Sequence, residues 1–160
     1  MKTYVGIDNG VSGSIGIINP EGAAQFHPTP IKKELSYTKK KAWINRVEVN
    51  QLKEILRDVP KDTSLVLLER PMVNPGRFQA TVSAIRALEA TLIVCESLGL
   101  PLIYVDSKEW QSQILPKGLV GPDELKAASL SIGQRMFPSL KFKKDADSVL
   151  MAEWARRKQL

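Results

Sequence analysis

The segment Leu65-Val66-Leu67-Leu68 is an unbroken apolar run with no polar alternation. A run of that kind is a strand covered on both faces, so it demands a sheet with helices packed on either side. It stops abruptly at Glu69-Arg70-Pro71, which places a carboxylate at the end of a buried central strand. An α/β layered architecture follows, and the remaining segments must supply its other strands and its helices.

They do so in a readable order. Thr3-Tyr4-Val5-Gly6-Ile7 is a short β-branched and aromatic strand halted by Asp8-Asn9-Gly10. Ser14 to Ile18 is a second strand, Asn19-Pro20-Glu21-Gly22 a turn, and Ala23 to His27 a third strand, which together predict an antiparallel meander. From Pro28 to Arg46 the chain carries many lysines and few periodic apolar residues, so a basic, mobile loop is expected. Val49, Leu52, Ile55 and Leu56 predict a helix to about Arg57, ahead of Pro60. Beyond the central strand, Met72 to Arg77 is a loop. Val82, Ile85, Leu88, Leu92, Cys95 and Leu98 then keep helical steps until Gly99. Leu102 to Val105 is a further buried strand, and helices follow at about Lys108–Ile114, Pro122–Met136 and Asp145–Lys158. The expectation is a mixed five-stranded sheet, three antiparallel strands then two parallel, flanked by helices. Lys117 to Pro122 reads as an ordinary loop, so residues 1–160 are expected to form a single domain.

Composition narrows the chemistry. With 23 Lys and Arg against 17 Asp and Glu, the net charge is +6 and the pI about 9.5, a bias toward polyanionic partners. One cysteine, Cys95, and one histidine, His27, cannot assemble a Cys/His zinc site, so any metal must be held by oxygen. Cys95 has no disulfide partner, which points to a reducing compartment and a cytoplasmic location. No apolar stretch approaches the roughly 20 residues that span a bilayer, and neither signal peptide nor membrane partner is expected.

Three acids sit in awkward places. Asp8 ends the first strand and Glu69 the fourth. Asp147 opens the last helix on the same face as Leu150, Met151 and Trp154, so it points toward the sheet. Each alone has an ordinary explanation as turn residue, ion-pair partner or helix-start acid. Jointly they do not, because the first and fourth strands would lie side by side and bring two carboxylates to one sheet edge. Such a pair is costly unless one takes a proton or a cation relieves it. Mg²⁺ and Mn²⁺ prefer carboxylate oxygens, and a pair of them about 3.5–4 Å apart serves phosphodiester hydrolysis. Lysines and arginines would then hold the nucleic-acid backbone.

Tyr4-Val5-Gly6-Ile7-Asp8-Asn9-Gly10, Leu67-Leu68-Glu69 and Asp145-Ala146-Asp147-Ser148-Val149-Leu150-Met151-Ala152-Glu153 resemble the three blocks of RuvC-type Holliday junction resolvases. Glu69-Arg70-Pro71-Met72-Val73-Asn74-Pro75-Gly76-Arg77, Leu98-Gly99-Leu100-Pro101 and Val105-Asp106-Ser107-Lys108-Glu109-Trp110 are similar to the short bacteriophage branch of that family. The resemblance implies an RNase H-like fold and a crossover junction endodeoxyribonuclease. It further implies two Mg²⁺ or Mn²⁺ ions per site, held by Asp8, Glu69, Asp147 and a further final-helix acid. Family members place that acid three or four residues before the last Asp, where this chain has Lys144 and Lys143. Asp145 is the substitute, as metal ligand or as helix cap; because two residues along a regular helix turn through about 200°, it can join the other ligands only if the helix begins there with irregular geometry. A water nucleophile, 5′-phosphate and 3′-hydroxyl products, and a homodimer matched to a two-fold branched DNA substrate are also implied. Ala80, Ala84, Ala87 and Val94 give the long helix a second small apolar face, for that dimer or for a second core contact. Two alternatives stay open: a YqgF-like RNA-processing nuclease, and an inactive junction-binding protein.

Residues suited to DNA surround this set. Lys39-Lys40-Lys41-Ala42-Trp43 with Arg46 mixes charge and an aromatic ring, suited to phosphates and an unstacked base, unless the lysine run is simply a solvated loop. Arg77 could meet phosphate and Phe78 an opened base pair, unless Phe78 is the first core residue of its helix. Trp110 is assigned to packing, and Arg156, Arg157 and Lys158 either to DNA or to the end of the last helix.

Overall fold

Val66, Leu67 and Leu68 are fully buried at the centre of the sheet in a computed structural model that describes residues 1–160. The elements run β1 (Thr3–Asp8), β2 (Ser14–Ile18), β3 (Ala24–Pro28), β4 (Ile31–Leu35), β5 (Trp43–Val47), α1 (Val49–Leu56), β6 (Ser64–Glu69), α2 (Phe78–Leu98), β7 (Leu102–Val105), α3 (Ser107–Ile114), α4 (Gly121–Met136) and α5 (Asp147–Lys158). The main sheet has five strands in the order β3-β2-β1-β6-β7. β1 to β3 pair antiparallel, and β6 joins β1 and β7 in parallel, as the sequence predicts.

Alternation along the central strands splits the core in two. Val66 and Leu68 face Leu52, Leu56 and Val94 under α1 and α2. Leu67 faces the opposite way, against Trp110, Leu150 and Met151 under α3 and α5. Helix α5 lies unusually close to the sheet because Gly6 and Gly16 are partners across β1 and β2. A Cβ at Gly6 would fall 2.0 Å from the Ser148 carbonyl oxygen, and one at Gly16 would fall 2.5 Å from the Val149 Cα. Ser14 Oγ seals the same contact with a 2.8 Å hydrogen bond to Ser148 Oγ.

Two expectations need correction. The stretch read as a mobile loop is a β-hairpin, with Ile31↔Val47 through Leu35↔Trp43 in antiparallel register. Its alternation is masked by lysines. Glu34 and Arg46 share one face of the ribbon and pair at 2.7 Å, while only Val47 is fully buried. The face of α2 assigned to a partner is also different, since Ala87 and Val94 belong to the core. Its uncovered side instead carries Phe78, Ile85 and Ile93. By length and composition Pro75–Leu98 reaches what a membrane-crossing helix needs, an 18-residue stretch of it having mean hydropathy 1.3 and being 22% buried. Reading the sequence missed this because Arg86 and Glu89 interrupt the apolar run.

Candidate metal and nucleic-acid site

Parallel pairing of Ile7 with Leu68 brings the ends of β1 and β6 level, so Asp8 and Glu69 leave the sheet at the same edge. The close approach of α5 at Gly6 and Gly16 delivers Asp147 to that edge. The helix begins at Asp147 rather than Asp145, so Asp145 precedes its regular geometry and the 200° objection lapses. Asp145 is a cluster member and not the N-cap, which is Ala146, although it still bonds to the first turn. Its Oδ1 accepts the Asp147 backbone N–H at 3.0 Å, and its Oδ2 lies 3.0 Å from Lys126 Nζ. One oxygen each from Asp8, Asp145 and Asp147 lies within 4.8 Å of the others.

Lys126 is the residue that sequence reasoning missed. Its Nζ lies 2.5 Å from Asp147 Oδ2 and 3.7 Å from Asp8 Oδ2, in addition to the Asp145 contact. Lys126, Ser129 and Gly133 share one face of α4 at helical spacing. Gly133 lets that face dock on the start of α5, since a Cβ there would sit 2.2 Å from the Ala146 Cβ. Ser129 Oγ donates to Asp147 Oδ1 at 2.5 Å and accepts the Ala146 N–H at 3.0 Å. The spacing of Lys126, Ser129 and Gly133 is the available signal, and among twenty-two other lysines and arginines it is faint.

Glu69 stands beside this knot. Trp110 is fully buried as expected, yet its Nε1 also donates to Glu69 Oε2 at 3.3 Å, so packing and orientation of the acid are one task. Burial raises Asp8 to a pKa of about 8, helped by the Glu69, Asp147 and Asp145 charges and opposed by Lys126. Burial likewise raises Glu69 to about 7, with the Asp147 charge next, against the Trp110 hydrogen bond. Asp147 is pushed up by burial and by Asp145, while Lys126 and Ser129 pull it down. For Lys126, burial favours the neutral amine, but the charges of Asp8 and Asp147 override it and hold the ammonium protonated. The edge carries more negative charge than one lysine can balance.

The donor set fits a hard divalent cation. All its ligating atoms are oxygens, and they already converge on a cation, the Lys126 ammonium. Asn9, next to Asp8, adds a buried Oδ1 with no hydrogen-bond partner, its Nδ2 donating to the Ala84 carbonyl at 3.0 Å. A cleft opens at this edge between Asp8, Asn9 and Glu69 on one side and Met72, Arg77 and Thr81 on the other.

The remaining predicted residues fall in distinct places. Arg77 lines the cleft, and Phe78 beside it is 68% exposed and therefore no core residue. Lys39, Lys40 and Lys41 are exposed at the tip of the β4–β5 hairpin. Arg46 is engaged with Glu34. Arg156 and Arg157 both bond to the buried Glu153, at 2.8 Å each, and lower its pKa, so they close the end of α5.

No protein-family model matches the chain, and no curated protein sequence matches it. Solved structures do. RuvC of Thermus thermophilus in complex with a Holliday junction substrate is similar over 99% of this chain and 95% of that one, with a TM-score of 0.64 and 14% identity. A second Thermus thermophilus RuvC structure covers 98% and 96%, with a TM-score of 0.56 and 14% identity. The likeness establishes the fold, that of RuvC within the RNase H-like class, over almost the whole chain.

Proposed function

We propose that this protein is a metal-dependent, structure-selective endodeoxyribonuclease that cleaves four-way or otherwise branched DNA, acting as a single nuclease domain over residues 1–160. The observation that carries the reading is the convergence of Asp8, Asp145 and Asp147 on one cation, with Glu69 alongside, at the edge of a RuvC-like sheet. Supporting it, the Thermus thermophilus protein of the same fold binds a Holliday junction.

Asp8, Glu69, Asp145 and Asp147 would hold Mg²⁺ or Mn²⁺, which when bound polarises the scissile phosphate and makes water a competent nucleophile at neutral pH. Ser129 and the Asp147 N–H fix the two final acids before any ion arrives, and Trp110 fixes Glu69. Lys126 competes for the same oxygens as an incoming cation, so it keeps the carboxylates together in the metal-free protein. Arg77 at the cleft and the hairpin lysines bind backbone phosphate. The exposed Ile85 and Ile93 side of α2 forms a two-fold dimer contact, giving two equivalent sites for the two strands of a junction. The reaction takes place in a bacterial or phage-infected cytoplasm.

A second reading, junction binding without cleavage, draws on Lys126 filling the centre of the carboxylates. One experiment separates them. A synthetic four-way junction, a linear duplex and an RNA–DNA hybrid are incubated with protein in Mg²⁺, Mn²⁺ or chelator. Paired nicks in the junction alone, lost in chelator, are expected. Tight junction binding with no nick in either metal at any pH establishes the second reading, and cutting confined to RNA overturns both.

A further inference from the structure

The β4–β5 hairpin leaves the sheet at the acidic edge itself. Ser14 pairs with Asp8 on one side and with Pro28 on the other, and the Thr29 N–H bonds to the Gly13 carbonyl at 3.0 Å. From there, strands of five residues reach about 17 Å outward. The tip is ordered by its own bonds. The Ser36 N–H meets the Ala42 carbonyl at 2.8 Å, and the Lys41 N–H meets the Thr38 carbonyl at 3.0 Å.

Two features of this ribbon have no role in holding the fold together. Leu35 and Trp43 are cross-strand partners on one face, yet Trp43 is 70% exposed and nearby Tyr37 94% exposed. Lys33, Lys39, Lys40 and Lys41 surround them, and the ribbon's acid, Glu34, is on the other face and already paired with Arg46. The charge selects a polyanion. The apolar face selects something more particular, because Trp, Leu and Tyr offer ring and methyl surface rather than a row of base-edge donors. In a linear duplex the base faces are stacked and hidden. At a branch point they are exposed, and aromatic side chains stack on them without sequence preference.

Resting on the nuclease reading above, we propose that the β4–β5 ribbon is the arm that distinguishes branched from linear DNA, its lysines on backbone phosphates and Trp43 against a base exposed at the branch point. The acidic edge cuts, and the ribbon selects where.

The test uses the whole protein in chelator, so that DNA is bound and left intact. Trp110 and Trp154 are buried, so quenchable tryptophan emission reports Trp43. A synthetic four-way junction should quench it more than a linear duplex of equal length. Trp43→Ala should lower junction affinity about tenfold and duplex affinity less than twofold, with Trp43→Phe restoring most of the difference. Replacing Lys39, Lys40 and Lys41 by alanine should weaken both DNAs. Equal losses on junction and duplex for Trp43→Ala, or none on either, overturn the proposal. So does quenching by vesicles containing phosphatidylglycerol but not by DNA, which assigns the patch to a membrane surface. The exposed position makes Trp43→Ala a folded variant, checked by its melting temperature. A parallel assay in Mn²⁺ keeps the two readings apart. Wild-type protein that leaves the junction uncut sinks the nuclease reading, whereas cutting with undiminished selectivity by Trp43→Ala sinks the arm alone.

Discussion

The acidic edge and the hairpin start from neighbouring residues and are built on opposite principles. At the edge, side chains from β1, β6, α4 and α5, with Asp145 just before α5, are forced together by three glycine-dependent close approaches, and burial, with mutual repulsion added, raises the pKa of Asp8, Glu69 and Asp147. On the hairpin, charge and apolar surface both face solvent, and its cross-strand register is the main thing that shapes them. A hydrolytic site needs atoms held to within a fraction of an ångström, which only a packed core provides. Recognition of a large polyanion needs reach and charge, which a ribbon supplies with little packing. On the proposed reading, chemistry sits where burial is expensive and substrate selection where it is cheap.

The largest expected effect breaks the edge and spares the ribbon. Asp8→Asn and Glu69→Gln should each lower junction cleavage on the order of a thousandfold, read as the single-turnover nicking rate, while gel-shift affinity in chelator stays unchanged. The complementary change, alanine at Lys39, Lys40 and Lys41, should weaken junction binding by about tenfold to a hundredfold. It should also flatten the slope of log affinity against log salt by about 3, as expected for lost phosphate contacts. If the triple variant keeps the wild-type salt slope, the ribbon does not touch the backbone. Between the two lies Lys126→Met, which removes the competing cation. Its Mn²⁺ affinity by calorimetry should rise by about tenfold or more, because a unit charge at about 4 Å counts for several kcal/mol at an effective dielectric near 20.

The same contrast decides what the sequence reveals. Asp8, Glu69 and Asp147 are legible only jointly, because adjacent strand ends and the apolar stripe of the last helix bring three carboxylates to one edge, a crowding that their separate ordinary roles do not explain. Asp145 is half legible. Its local hydrogen bond to Asp147 and its place in the cluster both depend on where α5 begins, and helix starts are poorly determined by pattern. Lys126 is not legible at all, since one lysine among the twenty-three basic residues becomes the counter-ion of the cluster only through the docking of α4 on Ala146. The hairpin is misread for the opposite reason. Its strands bury so little that their period-2 pattern is overwritten by lysines, and the pairing that makes them strands is between residues eight to sixteen apart that no propensity reports.

Stability gives a smaller and equally discriminating pair. Gly6→Ala forces a Cβ into the Ser148 carbonyl, so α5 must retreat, and a loss of about 1–3 kcal/mol in denaturant unfolding is expected along with weaker Mn²⁺ binding. Trp43→Ala on the ribbon should change unfolding by no more than about 0.5 kcal/mol.

The smallest effect reports the burial and crowding of the carboxylates together. Asp8 and Glu69 have folded pKa values of about 8 and about 7, both above their ordinary values of 3.8 and 4.5, so the folded protein holds protons that the unfolded chain releases. Such groups stabilise fully below their ordinary values, and that stability drains away as pH climbs through 7 and 8. Lys126 stays charged throughout this range and cannot offset the loss. In chelator the melting temperature should therefore fall between pH 6 and pH 9, and Mg²⁺ at pH 8.5 should restore it. Asp8→Asn removes one of the two titrating acids. Its melting curve in chelator should be flatter with pH and, at pH 8.5, higher than wild type by about 3 °C, the scale of one kcal/mol for a domain of this size. The triple-lysine ribbon variant should follow the wild-type pH curve. A wild-type protein whose metal-free stability rises across this range would show that the carboxylates are already ionised and balanced, and the need for a second cation at the edge would disappear.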